Sequence, residues 1–218
     1  MKLVIANKNY SSWSMRPWIA MKAAGIAFEE VFVPFGSPLG NDEFKQRLAA
    51  YTPAGMVPVL IDGDTQVWET LAILEYLAEL YPEKQLWPEN RVARAMARSV
   101  SAEMHSSFAD VRNEWAMNLR RPKSYKPLSE SGRKQAARIE QIWRDCRVQY
   151  GAGGPFLFGA FTAADAMYAP VVTRFDTYGG ELAPDIRSYV DAVLAMPAMK
   201  EWYAAAAAET YPEPYPDE

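Results

Sequence analysis

Asn9-Tyr10-Ser11-Ser12-Trp13-Ser14-Met15-Arg16-Pro17 stands where the pattern of the chain changes. Before it, Lys2 to Ala6 is a short apolar run bounded by Asn7-Lys8-Asn9, which reads as a buried strand. After it, Trp18, Ile19, Met21 and Lys22 belong to a helix interior, with Gly25 where a C-terminal cap is expected. Pro17 has no N–H to donate, so it fits a helix's first turn and puts the serines at or just before the N-terminus. Phe28 to Phe35 alternates and is rich in Val and Phe, so a second strand follows. Strand, helix, strand in this order predicts a parallel, right-handed crossover.

Working outward, Gly36 to Gly40 reads as a loop, and Asn41-Asp42 as the cap of a short helix running to about Ala50. Val57 to Ile61 and Thr65 to Trp68 flank Asp62-Gly63-Asp64, a hairpin signal because glycine tolerates positive φ. A helix from Leu71 to Leu80 spaces Leu71, Leu74 and Leu77 along one face. Residues 1–80 thus form an α/β unit. Residues 81–90, as in Tyr81-Pro82-Glu83 and Trp87-Pro88-Glu89, turn to proline and charge and read as a linker. From 91 to 218 the signals are all-α: Arg91 to Leu119, Ser129 to Tyr150, Ala163 to Tyr178 and Pro184 to Ala208, with a loosely held tail from Thr210 to Glu218.

Composition narrows the chemistry. Half of the 218 residues are hydrophobic, which predicts a packed interior. A single cysteine, Cys146, excludes an internal disulfide, and a single histidine, His105, cannot build a His/Cys metal site without help from carboxylates, so no metal is expected. A net charge of −4 disfavours a nucleic-acid partner. The apolar runs are broken too early to span a membrane, and Met1 to Ala6 is too short for a signal peptide's apolar region, so a cytoplasmic location is expected.

Three clusters carry chemistry. A hydroxyl from Ser11 or Ser12 at the positive end of a helix dipole suits a thiolate, although serine there also serves as a plain N-cap. In Ala54-Gly55-Met56-Val57-Pro58-Val59, a turn-forming and possibly cis X-Pro bond leaves the Val57 backbone free to pair with a peptide-like ligand; an edge-strand proline is the alternative. In Trp68-Glu69-Thr70-Leu71-Ala72-Ile73, Thr70 at a helix start suits a carboxylate and Glu69 an ammonium, together an α-amino acid head group. A threonine cap beside an acid is the bland reading.

In order and separation these clusters resemble the glutathione transferase family. Ser11 to Ala20 is similar to the serine-type first-helix motif of its theta and zeta classes, Gly55 to Leu60 to its cis-proline strand, and Trp68 to Ile73 to its Glu-Ser/Thr motif. Phe161-Thr162-Ala163-Ala164-Asp165 resembles the family's capping box, with Thr162 as N-cap and Asp165 returning to its backbone. The resemblance implies a thioredoxin-like N-terminal domain and an all-helical C-terminal domain, glutathione as co-substrate, a small electrophile as second substrate, and a homodimer.

Residue by residue, the resemblance implies Ser11 beside the sulfur, with Ser12 able to share or replace it. Val57 would pair with the cysteinyl part, Pro58 would be cis, and Glu69 and Thr70 would hold the γ-glutamyl end. Lys45 or Arg47 would meet the glycine carboxylate, and Arg16 would serve either the thiolate or helix packing. His105, Phe108, Arg112 and Trp115, at i, i+3, i+7 and i+10 of one long helix, are expected to share a face toward the electrophile. A buried bundle face fits the same spacing. Trp13 and Met15 depart from the zeta motif, which has Cys and Trp there, and Met56 replaces a lysine often found before the Val-Pro pair.

Overall fold

The computed structural model describes residues 1–35 and 42–211; the Gly36 to Gly40 loop, the Asn41 side of the expected cap, and residues 212–218 of the tail lie outside them. Strand β1 (Lys2–Ile5), helix α1 (Ser12–Ala23) and strand β2 (Glu29–Phe32) form the expected unit, with Val4 beside Val31 in a parallel pair. Helix α2 is Asp42–Leu48. Strand β3 (Val59–Asp62) runs antiparallel to β1, and β4 (Thr65–Trp68) antiparallel to β3, in the order β2-β1-β3-β4. The turn between them has Gly63 at φ +56°, the conformation anticipated for glycine. Helix α3, Thr70–Leu80, completes this half.

The central strand explains its own sequence. Leu3, Val4 and Ile5 are wholly buried because both faces of β1 are covered. Alternation sends Leu3 and Ile5 into the core that holds Trp18, Ile19, Ile73 and Leu77 of α1 and α3. Val4 and Ala6 enter a smaller core with Phe44 and Leu48 of α2. Two observed strands are shorter than their sequence signals: β2 stops at Phe32, and β3 starts at Val59, after a proline that has no N–H for the ladder.

Beyond a short 3-10 turn at Pro82–Lys84 the chain is helical: α4 (Arg91–Ser106), α5 (Ala109–Glu114), α6 (Glu130–Tyr150), α7 (Ala163–Tyr178), α8 (Pro184–Leu194) and α9 (Pro197–Ala208). Two expected helices are in fact pairs. The run from Arg91 to Leu119 breaks at Ser107-Phe108, where Ser107 is extended and Phe108 is left-handed at φ +62°. The run from Pro184 to Ala208 breaks before Pro197, with Met196 extended as the residue before a proline prefers. Helix α7 is buried on nearly every side, which accounts for its small and apolar residues. It packs on α1, and this contact joins the two halves into one core.

The capping box at α7 forms as expected. Asp165 accepts from Thr162 N at 2.9 Å and Thr162 Oγ1 at 3.0 Å, and also from Leu157 N at 3.0 Å and Tyr189 OH at 3.1 Å. Burial pushes its carboxyl up to about 6, against the pull of these four donors.

Candidate functional site

A cavity of about 210 Å³ opens where β3, the start of α3, α1 and α4 meet. Its walls include Trp13, Met56, Val57, Pro58, Glu69 and Thr70, with His105 contributed by the helical half. Val57, Pro58, Glu69, Thr70 and His105, separated by as many as 48 positions in the sequence, are thus brought to one space. The Val57–Pro58 peptide is cis. Glu69 holds φ +69°, a conformation that non-glycine residues adopt rarely and mostly where a site requires it. Its Oε2 lies 3.5 Å from His105 Nε2 across the cavity.

Pro17 sits deeper in α1 than the first turn expected for it, at the sixth helical residue. An interior proline leaves the carbonyl four residues back without its helical partner. That carbonyl belongs to Trp13, and it accepts a hydrogen bond from Thr70 Oγ1 at 3.3 Å. The proline thus frees an acceptor that ties the start of α3 to the start of α1, so two of the three clusters are locked together by a local defect.

The serines stand at the start of α1 as the sequence predicts, but Ser11 is no side-chain cap. Its hydroxyl donates to Ser14 Oγ at 2.7 Å, and Ser14 Oγ also accepts from Ala6 N at 3.3 Å. Both serines are buried, and Trp13 lies between them and Ser14 in sequence as the residue of this segment that walls the cavity. Arg16 is buried and stacks on Trp13, its Cζ 4.1 Å from the ring centroid. It also donates to Met167 O and Ser12 O, both at 2.9 Å, so it joins α1 to α7.

Of the two cations considered for a glycine carboxylate, Arg47 pairs with Glu43 on its own helix. Lys45 is exposed, and its stem passes 3.9 Å from the place where Gly55 would carry a Cβ. Lys45 therefore stands beside the cavity's cis-proline loop.

The four residues expected on one face are separated by the break at Phe108. His105 reaches the cavity from the end of α4. Phe108 and Trp115 are in the core, and Trp115 donates its Nε1 to Lys126 O at 2.8 Å. Arg112 lies near Trp13, its Cζ 5.6 Å from the ring centroid. Trp13, Met56 and Trp68 also wall the cavity, a role that no pattern in the sequence announces; the partial exposure of Met56 and Trp68, both large apolar side chains, becomes evident only once the loops fold together.

The segment before the serines is held from the helical half. Glu209 accepts from Lys8 N at 2.5 Å and Asn9 N at 3.2 Å, and Trp202 Nε1 donates to Lys8 O at 2.9 Å.

The model of the glutathione S-transferase N-terminal domain matches residues 10–80, and that of the C-terminal domain residues 90–205. The chain belongs to the glutathione S-transferase family. A probable maleylacetoacetate isomerase of Vibrio cholerae is 23% identical over 98% of this chain and 99% of its own length. A probable maleylacetoacetate isomerase of Caenorhabditis elegans is 31% identical over 50% of this chain and 48% of its own length. A zeta-class glutathione S-transferase of Euphorbia esula is 31% identical over 54% and 51%. With these last two the match spans about half the relative's length. Among solved structures, a glutathione transferase homolog from Burkholderia with bound glutathione superposes with a TM-score of 0.70 at 22% identity, covering 95% of this chain and 98% of that one.

The glutathione S-transferase fold accounts for the observed arrangement of a four-stranded thioredoxin-like sheet and a helical second half. Among the described residues no group of three or more His, Cys, Asp or Glu is placed to hold a metal ion, and no helix is long and apolar enough to cross a membrane.

Proposed function

We propose that the cavity binds glutathione and that the protein activates it as a thiolate for addition to an electrophile. The observation that carries this reading is the convergence of the cis-proline strand, the Glu69-Thr70 helix start and the start of α1 on one space. In it Val57 pairs its backbone with the cysteinyl part, Pro58 shapes that edge, Glu69 and Thr70 hold the γ-glutamyl end, and Lys45 meets the glycine carboxylate. The sulfur lies at the start of α1. The reading brings with it a division at residues 1–80, 81–90 and 91–218, and a cytoplasmic homodimer.

Ser11 is the donor in this reading. Its hydroxyl proton rests on Ser14 Oγ, and Ala6 N also points to that oxygen. Turning both hydroxyls lets Ser14 donate to Ser11 and Ser11 donate to sulfur, while Ala6 N–H stays on Ser14. The thiolate then receives a hydrogen bond at a helix N-terminus, and both effects favour the charged form.

The test is thiolate absorbance of the glutathione complex as a function of pH. A charge-assisted hydrogen bond of about 1.5–3 kcal/mol corresponds to a rise of about 1–2 units in the bound thiol's pKa when Ser11 becomes Ala. Ser14→Ala should raise it by less. An effect confined to Ser12→Ala assigns the donor to Ser12 and refutes the relay.

The second reading is a glutathione-dependent cis–trans isomerase, favoured by the names of the Vibrio cholerae and Caenorhabditis elegans relatives. Turnover of a maleyl substrate without consumption of glutathione supports it over conjugation. Binding of glutathione together with failure of both assays supports a non-catalytic role.

A further inference from the structure

Three arginines close enough to act on one another, Arg16, Arg112 and Arg174, lack an acidic partner among the described residues. Arg16 is fully buried, and its Nη2 has no hydrogen-bond partner among the described residues. Arg174, also buried, donates Nε to Trp115 O at 2.9 Å and Nη1 to Pro170 O at 2.8 Å. Arg112 is half-buried and uses only Nε, toward Ser107 O at 3.2 Å, leaving both terminal nitrogens without a described partner. Every acceptor these guanidiniums share with the protein is a neutral carbonyl. Such oxygens satisfy N–H groups but leave the charge uncompensated.

The charges also oppose one another. Burial, then Arg174 and Arg112, push Arg16 well below the usual arginine range; burial, then Arg112, brings Arg174 down to about 10. Burial likewise lowers Arg112. On the surface the same residue type is treated differently: Arg98 pairs with Glu75, Arg138 with Glu103 and Arg144 with Asp185.

Trp13 connects two of the arginines, Arg16 and Arg112, to the cavity. Arg16 and Arg112 lie 4.1 and 5.6 Å from its ring centroid, the His105 ring meets it at 5.2 Å, and the same tryptophan walls the cavity. Arg16 and Arg174 also fasten helices together, so their contribution at the cavity is a field. Arg112 has a planar fork with two free nitrogens, a shape matched to a carboxylate.

We propose that the electrophile taken by this site carries a carboxylate, which Arg112 receives beside Trp13 within the positive field of Arg16 and Arg174. This rests on the glutathione reading above and adds the class of the second substrate. A carboxylate of glutathione itself is the other source of an anion here, and the experiment separates the two.

Calorimetric titration of the protein saturated with S-methylglutathione compares 4-chloro-3-nitrobenzoate with its carboxamide. The acid is expected to bind about tenfold more tightly or better, as a charge-assisted pair implies, with the preference erased in Arg112→Gln and partly kept in Arg112→Lys. Equal binding of acid and amide by the unaltered protein overturns the proposal, whatever the variants do. So does a preference that survives Arg112→Gln, or displacement of the acid by S-methylglutathione. Failure of S-methylglutathione to bind refutes the glutathione reading instead, and the acid–amide comparison on the free protein still decides whether Arg112 receives an anion.

Discussion

Two helix starts buried in the same core are finished in opposite ways. At α7 the capping carboxylate of Asp165 accepts from four donors drawn from its own turn, the loop before it and Tyr189 of α8. At α1 the Ser11 side chain makes no cap, and its hydroxyl bonds only to another hydroxyl. The first start is closed on itself and stabilises the fold. In the proposed reading the second keeps hydrogen-bonding capacity for glutathione. Since a start without a side-chain cap leaves N–H groups without intrahelical partners, the proposed reading gives the open start a use for a ligand that the closed one lacks.

The contrast can be broken by experiment, and the largest effect is expected at the closed start. Asp165→Ala leaves several buried donors unpaired and should cost about 4 kcal/mol in urea unfolding. A loss below about 1 kcal/mol would make this cap no more important than a surface one. The next effect is pH dependence. Asp165 is raised in the folded protein from an ordinary 3.8 to about 6, so between those values the folded state binds its proton more tightly than the unfolded chain does. Its contribution to stability is therefore full below 3.8 and is lost as pH rises through 6, a change of about 3 kcal/mol. Asp165→Asn should flatten that part of the unfolding free energy measured from pH 4 to 7; an unchanged slope would show that another group titrates.

At the open start the support comes from a distance. Glu209→Ala removes the acceptor of Lys8 N and Asn9 N and should cost about 1–2 kcal/mol, with weaker S-methylglutathione binding by calorimetry. Full retention of both values would show that the bonds of Trp202 to Lys8 O and of Asn118 and Arg120 to the Asn9 side chain hold the segment without Glu209. The smallest stability effect is expected for Ser11→Ala, within about 0.5 kcal/mol, because no cap bond is lost. A loss of about 1 kcal/mol or more, with an unmoved thiol pKa, would return Ser11 to the rank of a cap.

Patterns with a short range were legible. The short apolar run of β1, the glycine turn at Gly63, the α7 box and the start of α3 all appear where the residues indicate, because each depends on neighbours within a few positions. The breaks at Phe108 and Met196, which divide two runs that read as single helices, have different physical origins. Phe108 adopts a left-handed backbone that its type does not announce, whereas Pro197 marks its break in the sequence by the extended backbone it favours in the residue before it. The site was legible as three clusters in order, and also as three sets of ordinary caps. Helical spacing placed His105, Phe108, Arg112 and Trp115 together, and it failed because periodicity assumes an unbroken helix.

The sequence by itself determined the strand and helix order of residues 1–80, the helical character of the rest, the places where hydroxyl, acid and proline stand, and the family to which they are similar. Those depend on local sterics and hydrogen bonding, which a few consecutive residues settle. Only the tertiary structure decided that the Trp13 carbonyl freed by Pro17 meets Thr70, that Glu209 holds the segment before the serines, and that Arg16 and Arg112 meet at Trp13. Each joins residues separated by 57 or more positions, or lies across the break at Phe108, and a contact at such range is set by how the helices pack rather than by any pattern along the chain.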